Sequence, residues 1–167
     1  VIDVRSPSEF QDDHMPGAIN LPVLDDAQRA KIGTIYKQTN PFEAKRSGAA
    51  LVAQNLAGHL QTDLAKKDRN WRPLIYCWRG GQRSGAMARI LSEIGWQVTV
   101  VEGGYKNYRK QVLDGLDNIP PTLRLIVLRG RTGTAKTAIL RAAAEKGAQV
   151  IDLEGMAVHR GSLLGPE

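Results

Sequence analysis

Pro73-Leu74-Ile75-Tyr76-Cys77-Trp78-Arg79-Gly80-Gly81-Gln82-Arg83-Ser84 sets an apolar run, a cysteine and a glycine- and arginine-bearing loop in direct succession. Residues 73–77 read as a buried strand. Residues 84–94 read as an amphipathic helix, with Met87, Ile90, Leu91 and Ile94 on one side and Gly95 closing it. A loop between a strand and a helix points backbone N–H groups at one spot, where the helix N-terminus adds partial positive charge. Gly80 and Gly81 let the chain curl with positive φ and approach an anion closely. Arg79 and Arg83 add charge and bidentate hydrogen bonding. Such a setting lowers a thiol pKa, and the thiolate is the nucleophile. Cys77 is therefore the candidate catalytic residue. Trp78, Arg79, Gly80, Gly81, Gln82, Arg83 and Ser84 are the candidate anion or donor cradle. The alternative is a cysteine that only packs, since free Cys is often buried. Two glycines, two arginines and a following helix favour the cradle.

Working outward, residues 1–5 (VIDVR) read as a second buried strand. Ser6 is placed as an N-cap, Pro7 at the first helical position and Glu9 to complete a capping box. That helix ends before Pro16-Gly17, and residues 18–21 form a short strand stopped by Pro22. Residues 24–64 are mostly helical, broken at Asn40-Pro41, with Leu51, Val52, Leu56 and Leu60 on one buried stripe and Lys37, Lys45 and Arg46 outside it. Residues 98–101 (VTVV) form a further strand, and Gly103-Gly104 turns into a helix over 105–116. Strands alternating with helices predict a parallel α/β sheet covered on both faces.

The cysteine loop resembles that of the rhodanese family. So do the opening strand with Glu9, the segment His14-Met15-Pro16-Gly17-Ala18-Ile19-Asn20-Leu21-Pro22, and the turn Gly103-Gly104-Tyr105. Together they span residues 1–117 and imply a rhodanese-like sheet, with the helical stretch at about 24–64 as an insertion. In that family the His14 segment is largely structural. One departure is the loop itself. Cys77 to Arg83 makes seven residues, where ordinary sulfurtransferases of this fold have six and the related dual-specificity phosphatases have seven. The extra room suits phosphate or a larger chalcogen. Those phosphatases also use a carboxylic acid, and positions 78–82 contain none.

The chain has 167 residues, enough for one domain or one small domain plus part of another. Its net charge of +6 and pI near 9.7 suit polyanions such as tRNA or phosphates, or simply a solvated basic surface. One cysteine precludes an intrachain disulfide and fits a reducing cytoplasm. No apolar stretch reaches the length of a membrane span. The opening at Val1, in mid-strand, reads as that of a fragment.

Residues 118–122 (NIPPT) are the linker, and 123–167 read as a truncated, incomplete P-loop βαβ unit. It has strands at 123–128 and 149–153 and a helix over 138–146. Gly130-Arg131-Thr132-Gly133-Thr134-Ala135-Lys136-Thr137 resembles a Walker A loop, in which backbone N–H groups, a Lys and a Thr hydroxyl serve phosphates and Mg²⁺. Ala135 departs from the pattern, which has Gly there. If that position needs positive φ, an L-residue costs about 1 kcal/mol or more. Asp152 and Glu154 could serve a metal or orient substrate, or cap a turn.

Segments 33–38, 41–45, 55–60, 77–84 and 152–162 resemble the tRNA 2-selenouridine synthase family, over its N-terminal part. The resemblance implies a cytoplasmic enzyme acting on the wobble uridine of tRNA. It exchanges the sulfur of 2-thiouridine for selenium from selenophosphate, by way of a geranylated intermediate made from geranyl diphosphate. It further implies Cys77 as carrier of a perselenide and a selenophosphate-supplying enzyme as a partner. Gly130, Gly133, Lys136 and Thr137 would hold a diphosphate or a tRNA phosphate, with no tightly bound cofactor or resident metal. Lys37, Lys45 and Arg46 are candidate tRNA contacts, or a solvated helix face. A plain sulfurtransferase and a catalytically silent anion- or tRNA-binding module remain open from the residues alone.

Overall fold

The computed structural model describes residues 1–38, 40–131 and 133–157. The chain divides into two compact units, Val1–Pro121 and a second that starts at Thr122. The first is built on a four-stranded parallel sheet of order β2-β1-β3-β4. The strands are β1 (Ile2–Asp3), β2 (Ile19–Asn20), β3 (Leu74–Tyr76) and β4 (Thr99–Val100). Register pairs Ile2 with both Ile19 and Ile75, and Ile75 with Val100. β1 and β3 are the two central strands, so Cys77, the residue after β3, leaves the middle of the sheet.

Parallel strands need covered faces, and two apolar clusters provide this. On one face Ile2, Val4, Ile75 and Cys77 pack with Leu56, Leu64, Met87 and Leu91, from α3 (Pro41–Gln61) and α4 (Gln82–Ile94) and the turn after α3. On the other, Tyr76 packs with Met15 and with Tyr105 of α5 (Gly104–Asn118). The short helix α1 (Pro7–Asp12) begins as its sequence indicates: the Ser6 N–H donates to Glu9 Oε2 at 3.1 Å, with Pro7 in the first turn.

The insertion is a helical pair. α2 (Asp26–Gln38) packs on α3, whose N-cap Asn40 accepts from the Glu43 N–H at 2.8 Å. Its inward stripe runs through Ala44, Gly48 and Leu56. Val52 and Leu60 are half-buried against the core. Polar ties fix the insertion to the chain after β2: the Asn55 amide donates to the Val23 carbonyl at 3.0 Å, and His59 Nε2 lies 3.0 Å from the Pro22 carbonyl.

Two expectations are corrected. α4 begins at Gln82, two residues early, and its buried face is Ser84, Met87 and Leu91; Ile90 and Ile94 are exposed, Ile94 by 52 %. The helix turns its small and flexible side chains to the sheet, and the β-branched pair falls past the edge of that face. In the second unit neither 123–128 nor 149–153 forms a strand among the described residues. A strand needs a ladder partner for its N–H and C=O groups, and these segments do not pair. Ile126 is consequently 94 % exposed. Two helices do form there, α6 (Lys136–Glu145) and the single turn α7 (Leu153–Met156).

Candidate active site

Cys77 is 4 % exposed, and its Sγ is surrounded by donors. The Ser84 hydroxyl lies 3.3 Å away and the Gly81 N–H donates at 3.3 Å. Burial pushes the thiol pKa up. Hydrogen bonds from the Ser84 hydroxyl and from the N–H groups of Ser84, Arg79 and Gly81 outweigh it and bring the thiol below its ordinary value. These donors exist because the chain wraps around the sulfur and at once starts α4, whose first N–H groups have no partner inside the helix.

The wrap is held from below by α5. Tyr105 and Lys106 donate their N–H groups to the Cys77 and Trp78 carbonyls, both at 2.9 Å. The two backbones approach so closely that a Cβ on Gly104 would fall 2.3 Å from the Cys77 carbonyl oxygen and 2.6 Å from the Gly80 nitrogen. Gly104 also has φ +58°, and Gly80 has φ +68° with the Val101 carbonyl oxygen 2.8 Å from where its Cβ would be. Gly81, with φ −102°, does not take the positive φ expected of it, and nothing lies within 4 Å of where its Cβ would be.

The arginines divide. Arg79 is exposed at the loop crown. Arg83, in the first turn of α4, turns away to Glu9, with contacts of 2.7 and 3.4 Å. Glu9 also receives Arg29 at 3.2 Å. Burial alone would raise the Glu9 carboxyl; hydrogen bonding and charge from Arg83, then the Ser6 N–H and Arg29, bring it below its ordinary value. Arg83 therefore ties the base of the loop to α1, a consequence of α4 starting at Gln82. Trp78 is 38 % exposed, its ring 5.7 Å from that of Tyr105. Gln82 is exposed beside Arg83.

Reading the sequence missed the support beneath Trp78. Arg5 is 1 % exposed, forks onto Asp3 at 2.6–3.1 Å, donates to the Asp13 carbonyl at 2.7 Å and lies 4.0 Å over the Tyr105 ring. The Tyr105 hydroxyl donates to Asp13, which also takes Arg109 at 2.7 Å. The signal was present: two opposite charges, Asp3 and Arg5, in a strand otherwise apolar.

In the second unit Lys136 folds back onto its own loop, donating to the Gly130 and Arg131 carbonyls at 3.0 Å each. The Thr134 hydroxyl donates to the Arg131 carbonyl at 2.7 Å. Ala135 takes φ +56°, the left-handed conformation that its pattern reserves for glycine. Lys136 and Thr137 line a cavity of about 390 Å³ with Asp152, Glu154 and apolar residues including Leu128. Asp152 caps α7, accepting from the Gly155 N–H at 3.0 Å. Thr132 and the segment 158–167, which includes His159 and Arg160, lie outside the described residues. Lys37, Lys45 and Arg46 are exposed on α2 and α3, with Arg46 paired to Glu43 at 2.7 Å. Among the described residues no group of three or more His, Cys, Asp or Glu could hold a metal, and no helix is long and apolar enough to cross a membrane.

A model of the rhodanese-like domain matches residues 1–111, which hold the four-stranded parallel sheet and the Cys77 loop. The chain belongs to the rhodanese-like family. Residues 123–167 match a second model, the tRNA 2-selenouridine synthase AAA domain. Proteins named tRNA 2-selenouridine synthase from Nitrosomonas europaea and Cronobacter sakazakii are 36 % and 39 % identical, in each case over 99 % of this chain and 43 % of the relative. The chain thus spans less than half the length of these curated relatives. A solved N-terminal domain of a candidate ATP/GTP binding protein from Clostridium difficile 630 is 40 % identical, with a TM-score of 0.59, over 67 % of this chain and 87 % of that one.

Proposed function

We propose that this chain is the N-terminal part of a cytoplasmic tRNA-modifying transferase that exchanges the sulfur of wobble 2-thiouridine for selenium, with Cys77 as the chalcogen carrier. The observation that carries the reading is the Cys77 sulfur held among Ser84, Gly81 and Arg79 donors, joined in one chain to a unit that matches the tRNA 2-selenouridine synthase AAA domain. Relatives bearing that enzyme's name align over nearly the whole chain. In this reading selenophosphate, from a supplying enzyme, is the selenium source and geranyl diphosphate the alkyl donor. The basic charge of the chain serves tRNA, and Lys37, Lys45 and Arg46 are its candidate contacts. Gly130, Gly133, Lys136 and Thr137 serve a diphosphate or a tRNA phosphate, with Mg²⁺ at Thr137 when a nucleotide-like ligand binds. Residues 1–117 are the catalytic domain, 118–122 the linker and 123–167 the start of the P-loop domain.

The loop's part in chalcogen transfer is to hold an anion while Cys77 accepts an atom from it. With thiosulfate the Cys77 thiolate attacks the outer sulfur. The bond between the two donor sulfurs breaks, sulfite leaves with its electron pair, and a persulfide remains on Cys77. The surrounding N–H groups stabilise the charge on the terminal atom, and the exposed Arg79 meets the incoming anion. That step alone would make the protein a plain sulfurtransferase, and the same experiment separates the two readings. The selenium of selenophosphate is at the selenide level, so it enters after the persulfide has formed: water takes the phosphoryl group as phosphate, and the freed selenide displaces the outer sulfur from Cys77 as sulfide. Intact mass is measured after incubation with thiosulfate and, separately, with thiosulfate followed by selenophosphate. The expected result is a gain of one sulfur, replaced by one selenium in the second incubation, and neither gain in Cys77→Ala. Sulfur uptake without exchange would leave the sulfurtransferase, and no adduct in either incubation would overturn Cys77 as carrier.

A further inference from the structure

Beside the catalytic loop lies a groove of about 710 Å³ between the helical insertion and the start of α4. Its walls are apolar or small: Leu24, Ile32, Ala44, Gly48, Val52 and Ala86 line it, with Tyr36 at the side. Its polar lining is almost all cationic, namely Arg29, Lys45 and Arg83, with Gln82. One carboxylate, Glu9, answers two of these cations, at 3.2 Å from Arg29 and 2.7 Å from Arg83. Among the described residues no carboxylate lies within ion-pair reach of Lys45. The size is that of a small-molecule site. Ala44 and Gly48 are small and buried, and a Cβ on Gly48 would lie 3.6 Å from the Ile32 side chain across the floor.

We infer that this groove is a binding site for an amphipathic anion, with its apolar chain along Ile32, Gly48 and Val52 and its anionic head at Lys45, Arg29 and Arg83, next to the Cys77 loop. Geranyl diphosphate has this form, so the inference deepens the proposed function and, for that ligand, rests on it. It places that donor, chain and head together, in the rhodanese-like unit, and leaves Gly130, Gly133, Lys136 and Thr137 to the tRNA phosphate. An apolar chain gains from burial in proportion to its length, roughly threefold to fourfold in affinity per methylene. The head gains from a cluster whose positive charge exceeds its negative.

The test is calorimetric titration of the intact chain with hexyl, octyl and decyl phosphate, together with decanol, inorganic phosphate and uridine monophosphate. Affinity should rise roughly threefold per added methylene, while decanol and inorganic phosphate bind at least tenfold more weakly than decyl phosphate. Ala49→Trp, which adds bulk from an exposed position on the groove wall, and Lys45→Glu, which reverses the one lining charge that no carboxylate pairs with among the described residues, should each weaken decyl phosphate at least tenfold. Ala49→Trp should leave iodoacetamide labelling of Cys77 and the thermal midpoint unchanged, showing that the fold persists. Equal binding of decanol, or decyl phosphate binding that neither variant weakens, would overturn the site. Uridine monophosphate binding more tightly than decyl phosphate would give the groove to RNA and overturn it too. Failure here leaves chalcogen uptake at Cys77 untouched, so the two readings fail separately.

Discussion

At the scale of single residues, the reactivity of Cys77 rests on one hydroxyl and a few N–H groups. Ser84 is the one side chain among them. Ser84→Ala removes a donor that favours the thiolate, so the Cys77 pKa should rise toward the value burial alone would set. Below that pKa the alkylation rate follows the thiolate fraction. Iodoacetamide labelling at pH 7 should slow by roughly 10-fold, the scale of one hydrogen bond to a charged group. The glycines separate by geometry rather than by identity. Gly104→Ala places a methyl 2.3 Å from the Cys77 carbonyl oxygen at φ +58° and should destabilise the first unit by about 3 kcal/mol in urea unfolding, from overpacking and backbone strain together. Gly81→Ala meets nothing within 4 Å and should cost under about 1 kcal/mol. From the sequence, Gly80 and Gly81 looked alike, and Gly103-Gly104 looked like an ordinary turn. The distinction depends on which backbone passes beneath, and no local pattern encodes that.

At the scale of elements, α1, α2 and α4 meet at Glu9. Its folded pKa is depressed, so its contribution to stability is full above its unfolded value near 4.3 and is lost as pH falls through the lower folded value. The urea midpoint of the wild-type chain should therefore drop on acidification below about pH 4.3, with a smaller drop in Glu9→Gln. At pH 7 Glu9→Gln should be less stable by about 2 kcal/mol, since two guanidinium groups lose a charged partner. Most elements of the first unit are legible in the sequence, because each has its own local signal: Ser6-Pro7 with Glu9, Asn40-Pro41, Gly95 after α4. On α4 Met87 and Leu91 are buried as expected, while Ile90 and Ile94 are exposed and Ser84, beside the sulfur, completes the buried face. The Asp3–Arg5 pair carried a local signal, but what it supports is the Tyr105 ring, which lies far along the chain.

For the molecule as a whole, the two units differ in how far their sequence patterns are realised. The first closes a sheet over two apolar clusters. The second has segments of strand composition, 123–128 and 149–153, that do not pair. Composition signals a strand, but only a neighbouring edge makes one. Native-state hydrogen exchange should show this division: amides of 74–76 protected to near the global unfolding free energy, and amides of 123–131 exchanging almost as in an unfolded chain. Protection across 123–131 would mean that those segments pair after all. The attachment of the active loop to α5 carries a last implication. It runs through the Cys77 and Trp78 carbonyls and the Tyr105 and Lys106 N–H groups, main chain to main chain. Away from Gly80, whose positive φ and close approach to Val101 leave no room for a side chain, the crown can therefore exchange its side chains without losing its curvature. Such a loop is an interchangeable cassette: one inherited backbone can be retuned from one donor atom to the next by altering the residues that face outward.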